Sequence, residues 1–103
     1  MLQSIRLATG ALCGDDRADR RTISYKPYNY KNTLTMRNLP SLTEFKGYEY
    51  NFYYIGSVIL ENIPQLTSNE IYFGDYCFRY TYSLQSSNAA ALESAIRSKS
   101  KYI

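Results

Sequence analysis

Two segments of this chain are nearly superimposable: Asn38-Leu39-Pro40-Ser41-Leu42-Thr43 and Asn62-Ile63-Pro64-Gln65-Leu66-Thr67, 24 residues apart. A decayed third copy follows at Asn88-Ala89-Ala90-Ala91-Leu92-Glu93. Self-similarity at a period of this size constrains the fold more than any local propensity, because each unit must bury its apolar face against a neighbouring unit. Upstream of each Asn is a two-residue alternation, Leu34/Met36, Val58/Leu60 and Leu84/Ser86. Downstream is a second alternation, Phe45/Gly47 and Ile71/Phe73, with Ile5/Leu7 as an earlier copy. Period two over a few residues predicts short strands with their apolar members turned inward.

Leu2, Leu42, Leu66 and Leu92 mark successive repeats of 40, 24 and 26 residues. The first is long because it carries an insert at about 13–32, whose mixed charges (Asp15, Asp16, Arg17, Asp19, Arg20, Arg21) and lack of apolar period predict a surface loop. From Asn88 the sequence turns Ala-rich and reads as a helix, with Asn88 as its expected N-cap and a frayed tail from Ser98. The Leu-Pro and Ile-Pro steps predict extended corners. Asn38, Asn62 and Asn88 share one register position and are expected to form an internal amide ladder that satisfies backbone groups there.

The block Leu2-x-x-Ile5-x-Leu7-x-x-Gly10-x-Leu12 resembles the eleven-residue signature of the leucine-rich repeat family, with Gly10 where the family has Asn and Tyr50 and Tyr76 in that place in the other copies. The block endings Ala11-Leu12, Asn51-Phe52 and Cys77-Phe78 are similar to the BspA-like surface-antigen subtype of bacteria and protists. The resemblance implies a mainly β solenoid of about three rungs, with short parallel strands and a C-terminal capping helix. One domain spans 1–103, with repeats at about 2–41, 42–65 and 66–91 and a cap at about 88–103. It also implies that the strand face is the partner surface. The first strand has no preceding rung, so the chain is expected to be the C-terminal part of a longer array or to associate edge to edge with a second copy.

On this scaffold the outward residues Arg6, Lys46 and Tyr72, flanked by Ser4, Glu44 and Glu70, form a candidate binding column for a protein partner. Arg20, Arg21 and Tyr25 in the insert form a second candidate, since Tyr and Arg supply contact area and donors at interfaces. Tyr48, Tyr50, Tyr53 and Tyr54 are read as turn and core filling. Nucleic acid is the alternative partner, through the basic insert, the basic tail and the tyrosines. Charge by segment disfavours it: the net +3 of the chain divides into +1 over 1–12, +2 over 13–33, −2 over 34–92 and +2 over 93–103, so the repeats are mildly acidic.

His is absent, which removes the His-based triads, Cys–His pairs and imidazole metal sites. With no P-loop or dinucleotide fingerprint either, the reading is a non-enzyme without cofactor, metal or small-molecule substrate. No apolar run is long enough to span a membrane. The absence of a signal-peptide pattern and of an Asn-x-Ser/Thr sequon, together with unpaired cysteines, favours a cytoplasmic location, the alternative being a fragment that has lost its leader. Cys13 and Cys77 fall two repeats apart, about 10 Å at a strand spacing of about 4.8 Å. A disulfide needs Cα atoms within about 7 Å, so both thiols are expected to be free.

Overall fold

A computed structural model describes residues 1–13 and 31–103. Six strands and one helix follow in order: β1 (Ser4–Leu7), β2 (Asn32–Arg37), β3 (Glu44–Gly47), β4 (Ile55–Glu61), β5 (Ile71–Phe73), β6 (Ser83–Ser87) and α1 (Ala90–Lys99). A 3-10 turn, Ser68–Glu70, leads into β5. The strands form two parallel three-stranded sheets, ordered β1-β3-β5 and β2-β4-β6. Odd and even strands thus alternate between the two sheets along the chain.

The strand registers match the repeat positions read from the sequence. Ile5 pairs with Phe45 and Phe45 with Ile71; Leu7 pairs with Gly47 and Gly47 with Phe73. In the second sheet Leu34, Val58 and Leu84 are in register, as are Met36, Leu60 and Ser86. Inward members of both sheets, with Leu42, Ile63 and Leu66 from the corners, make one hydrophobic cluster that Ala89, Leu92 and Ile96 extend at the helix. Its centre is a phenylalanine herringbone. Phe45 meets Phe73 edge-on at 5.0 Å, Phe52 stacks on Phe78 at 4.7 Å, and Phe73 meets Phe78 edge-on at 5.1 Å. Such pairs add about 0.5–1.5 kcal/mol each beyond their buried area.

Burial is uneven along the stack. Leu42 and Leu66 are buried, while the equivalent Leu2 is 49% exposed; Phe52 and Phe78 are buried, while the equivalent Leu12 is 50% exposed. The β1–β2 layer therefore shows, among the described residues, an apolar face that every later layer covers.

The corners are built on left-handed backbone. Asn38, Asn62 and Asn88 have φ of 53°, 54° and 54°, a conformation that Asn tolerates better than most residues. Their amides do form a ladder: Asn62 Nδ2 donates to Asn38 Oδ1 at 3.4 Å and Asn88 Nδ2 to Asn62 Oδ1 at 3.0 Å. The ladder runs on the exposed surface and links side chain to side chain, not inside the corner against backbone groups as the sequence suggested. Positive φ, and not backbone satisfaction, selects Asn here. We expect Asn62→Gly to lie within about 1 kcal/mol of wild type in urea denaturation, and Asn62→Val to lose roughly 1–2 kcal/mol or more.

Two further expectations are corrected at the C-terminus. Asn88 is committed to the ladder, so Ala89 takes the N-cap position of α1, with no side-chain cap. The tail is also anchored. Ser100 Oγ donates to the carbonyl of the buried Thr81 at 2.5 Å, Lys101 N donates to Arg79 O at 3.2 Å, and Tyr102 stacks on Tyr80 at 5.8 Å.

Candidate partner-binding surface

The outward side chains of β1, β3 and β5 come together as the alternation requires. Arg6 is in register with Lys46, and Lys46 with Tyr72. Glu44 sits between the cations: Arg6 Nε lies 2.5 Å from Glu44 Oε1, and Lys46 Nζ lies 3.7 Å from Glu44 Oε2 and 3.9 Å from Glu70 Oε2. The hydrogen bond to Glu44 raises the Arg6 guanidinium further above its ordinary range, and the same bond holds the Glu44 carboxyl below the usual carboxylate range. Two cations and two carboxylates therefore neutralise one another across three strands. This column presents no net charge.

Next to it is a concavity of about 250 Å³ lined by Arg6, Leu7, Lys46, Gly47, Tyr48 and Tyr72. Tyr72 is 58% exposed and Tyr48 62% exposed. Tyr48 is the residue that sequence reasoning misplaced: it is an open wall of the concavity, not turn filling. Strand parity carries the signal, since Phe45 and Gly47 point inward and the next residue must point out. Tyr48 is held by its own backbone. Its N donates to Leu7 O at 3.4 Å, and its carbonyl accepts from Asn51 Nδ2 at 3.1 Å and from the Cys77 thiol at 3.0 Å. Asn51 is fully buried and also accepts from Ala11 N at 3.0 Å, so one amide ties two successive turns together behind that wall.

Of the other candidates, Ser4 is exposed at the start of β1, and Arg20, Arg21 and Tyr25 lie outside the described residues. Cys13 and Cys77 are both free, Cys77 fully buried. Burial pushes the Cys77 thiol up.

Among the described residues, Tyr50, Tyr53, Tyr54, Tyr76 and Tyr80 do not fill the core, which holds all four phenylalanines instead. They form a surface cluster. Tyr50 stacks on Tyr76 at 5.0 Å with 19° between planes, and Tyr54 stacks on Tyr80 at 6.3 Å and 18°. Tyr53 meets Tyr50, Tyr54 and Tyr80 edge-on, and its hydroxyl donates to the Tyr80 hydroxyl at 3.2 Å. That bond, with burial second, raises the Tyr53 phenol above the ordinary tyrosine range. Tyr50 and Tyr76 have φ of 64° and 68°, matching Gly10 at 66° in the first copy. A non-glycine residue loses about 1–2 kcal/mol in that region, so the stack is held at some expense of backbone strain.

Among the described residues no three His, Cys, Asp or Glu side chains gather to hold a metal ion, and no helix is long and apolar enough to cross a membrane. No family model, curated protein or solved structure matches the chain.

Proposed function

We propose that this chain is a non-enzymatic protein-interaction module built as a leucine-rich-repeat-like solenoid of about three rungs, with α1 as its terminal cap. It takes its partner on the outward face of the β1-β3-β5 sheet. Three features support the solenoid: strand equivalences that recur at the repeat period, one Asn ladder through all three corners, and a core shared between consecutive units. The single observation that carries the function is the concavity walled by Tyr48 and Tyr72 and floored near Leu7 and Gly47. Exposed tyrosines around a small apolar hollow suit an anchor-in-pocket contact, in which one apolar or aromatic side chain of a protein partner enters and the ring faces close over it. The paired Arg6 and Lys46 then act as an oriented polar rim and supply register more than affinity.

The test is partner recovery on the immobilised chain, compared with a variant carrying Arg6→Glu, Lys46→Glu and Tyr72→Ala. Truncating a central tyrosine anchor removes about 2 kcal/mol, roughly thirtyfold in affinity, before any effect of the reversed charges. A control variant on the second sheet, Thr35→Glu with Gln85→Glu, should bind as wild type does. Unchanged recovery by the triple variant, or equal loss in the control, would discard this face.

A further inference from the structure

The tyrosine cluster takes no part in the concavity, and its geometry suits a different chemistry. A platform for bases or sugar rings needs open ring faces. Here Tyr50 and Tyr76 cover each other at 5.0 Å and 19°, and the Arg79 guanidinium lies over the Tyr76 ring at 5.3 Å. Both rings are nonetheless reachable from solvent, at 42% and 44% exposed. They sit on consecutive turns at one register position, each on left-handed backbone, where the first copy has Gly10. Their placement is enforced by the main chain: Tyr50 N donates to Asp75 O at 3.0 Å, as Gly10 N donates to Glu49 O at 3.0 Å one layer earlier.

We propose that Tyr50 and Tyr76 are a built-in site of oxidative cross-linking, joined as a dityrosine when the protein meets a one-electron oxidant of the ferryl-haem peroxidase class. Each phenol gives one electron to the oxidant and its hydroxyl proton to water, leaving two phenoxyl radicals. Their ortho carbons join in a new C–C bond. Each ring then transfers the hydrogen on its coupled carbon, through water, to its own oxygen and becomes a phenol again. Two electrons and two protons leave in total, and the product is lighter by two hydrogens. Holding two radicals face to face makes coupling intramolecular and favours it over diffusional encounter. A radical formed elsewhere in the cluster has contacting rings to cross, since Tyr53 lies 5.3 Å from Tyr50, 6.5 Å from Tyr76 and 4.9 Å from Tyr80. The cross-link would staple two successive turns and close the chain segment between them, which restricts the unfolded state.

The experiment treats the intact chain, at low concentration, with a haem peroxidase and hydrogen peroxide, followed by intact-mass and peptide-mapping mass spectrometry. The expected product is a monomer lighter by two hydrogens, with one linked peptide pair containing Tyr50 and Tyr76. Tyr50→Phe and Tyr76→Phe each keep the ring stack and the fold, which circular dichroism checks, and each should remove that product. In urea the same treatment should scatter the links among the 12 tyrosines. A monomer of unchanged mass, a dominant link between other tyrosines, or a product that persists in Tyr50→Phe would overturn the assignment.

Discussion

Replacing Phe78 with Ala is expected to lower the free energy of unfolding by about 3–5 kcal/mol. A domain of this size holds roughly 5–15 kcal/mol in all, so the variant should lose a large fraction of its stability. Phe78 is fully buried, stacks on Phe52 at 4.7 Å and meets Phe73 edge-on at 5.1 Å. Deleting its ring removes transfer energy and two aromatic contacts, and leaves a hole that Phe52, fixed on a turn, and Phe73, fixed on β5, cannot close. Urea denaturation followed by circular dichroism measures the loss. Leu12→Ala, at the equivalent position of the half-exposed first layer, should lose well under half as much. Equal losses at the two sites would contradict the uneven burial along the stack.

The second large effect is at Gly74. A Cβ there would lie 2.7 Å from Glu49 N and 2.8 Å from the Tyr48 carbonyl carbon, both backbone atoms that cannot rotate aside. Gly74→Ala must therefore push the preceding turn outward, and small-to-large changes of this kind lose about 1–3 kcal/mol or more. At Gly47 the nearest atom to such a Cβ is Asn51 Nδ2, at 3.0 Å. Because that is a side chain, Gly47→Ala should lose less, even though the amide is hydrogen-bonded. Gly74→Ala also displaces Tyr48, a wall of the concavity, so partner affinity should fall by more than the fraction unfolded explains. Denaturation midpoints with binding measured on the folded fraction separate the two effects. A Gly74→Ala variant as stable as wild type would mean that the two turns are not in close contact.

What could be read in the sequence was the part that repeats. The alternations at Ile5/Leu7, Phe45/Gly47 and Ile71/Phe73 placed one sheet in register, and those at Leu34/Met36, Val58/Leu60 and Leu84/Ser86 placed the other, because a period of two has only one inward solution. The Arg6, Lys46 and Tyr72 column followed from the same parity. Tyr48 could have been placed by that parity too; the other features that were missed depend on backbone handedness and on competition for partners. Nothing in a residue pattern says that Tyr50 and Tyr76 occupy left-handed backbone. Without that, a tyrosine-rich turn reads as core filling, while the four phenylalanines already fill the core. Asn88 satisfies two signatures at once, a helix N-cap and a ladder position, and only the corner geometry shows that the ladder takes it. The tail looked free to fray because Ser100 and Tyr102 find their partners, Thr81 and Tyr80, about twenty residues upstream.

The face bearing Tyr48 and Tyr72 is the proposed seat of the protein partner. That placement is tested most directly by selecting a random-peptide library on the immobilised chain and titrating the best binders into isotope-labelled protein, with amide chemical shifts as the readout. Perturbations are expected to centre on Leu7, Lys46, Gly47, Tyr48 and Tyr72, and to be lost in the variant carrying Arg6→Glu, Lys46→Glu and Tyr72→Ala. Perturbations centred on the β2-β4-β6 face or on α1, or a library that yields no specific binder, would contradict it.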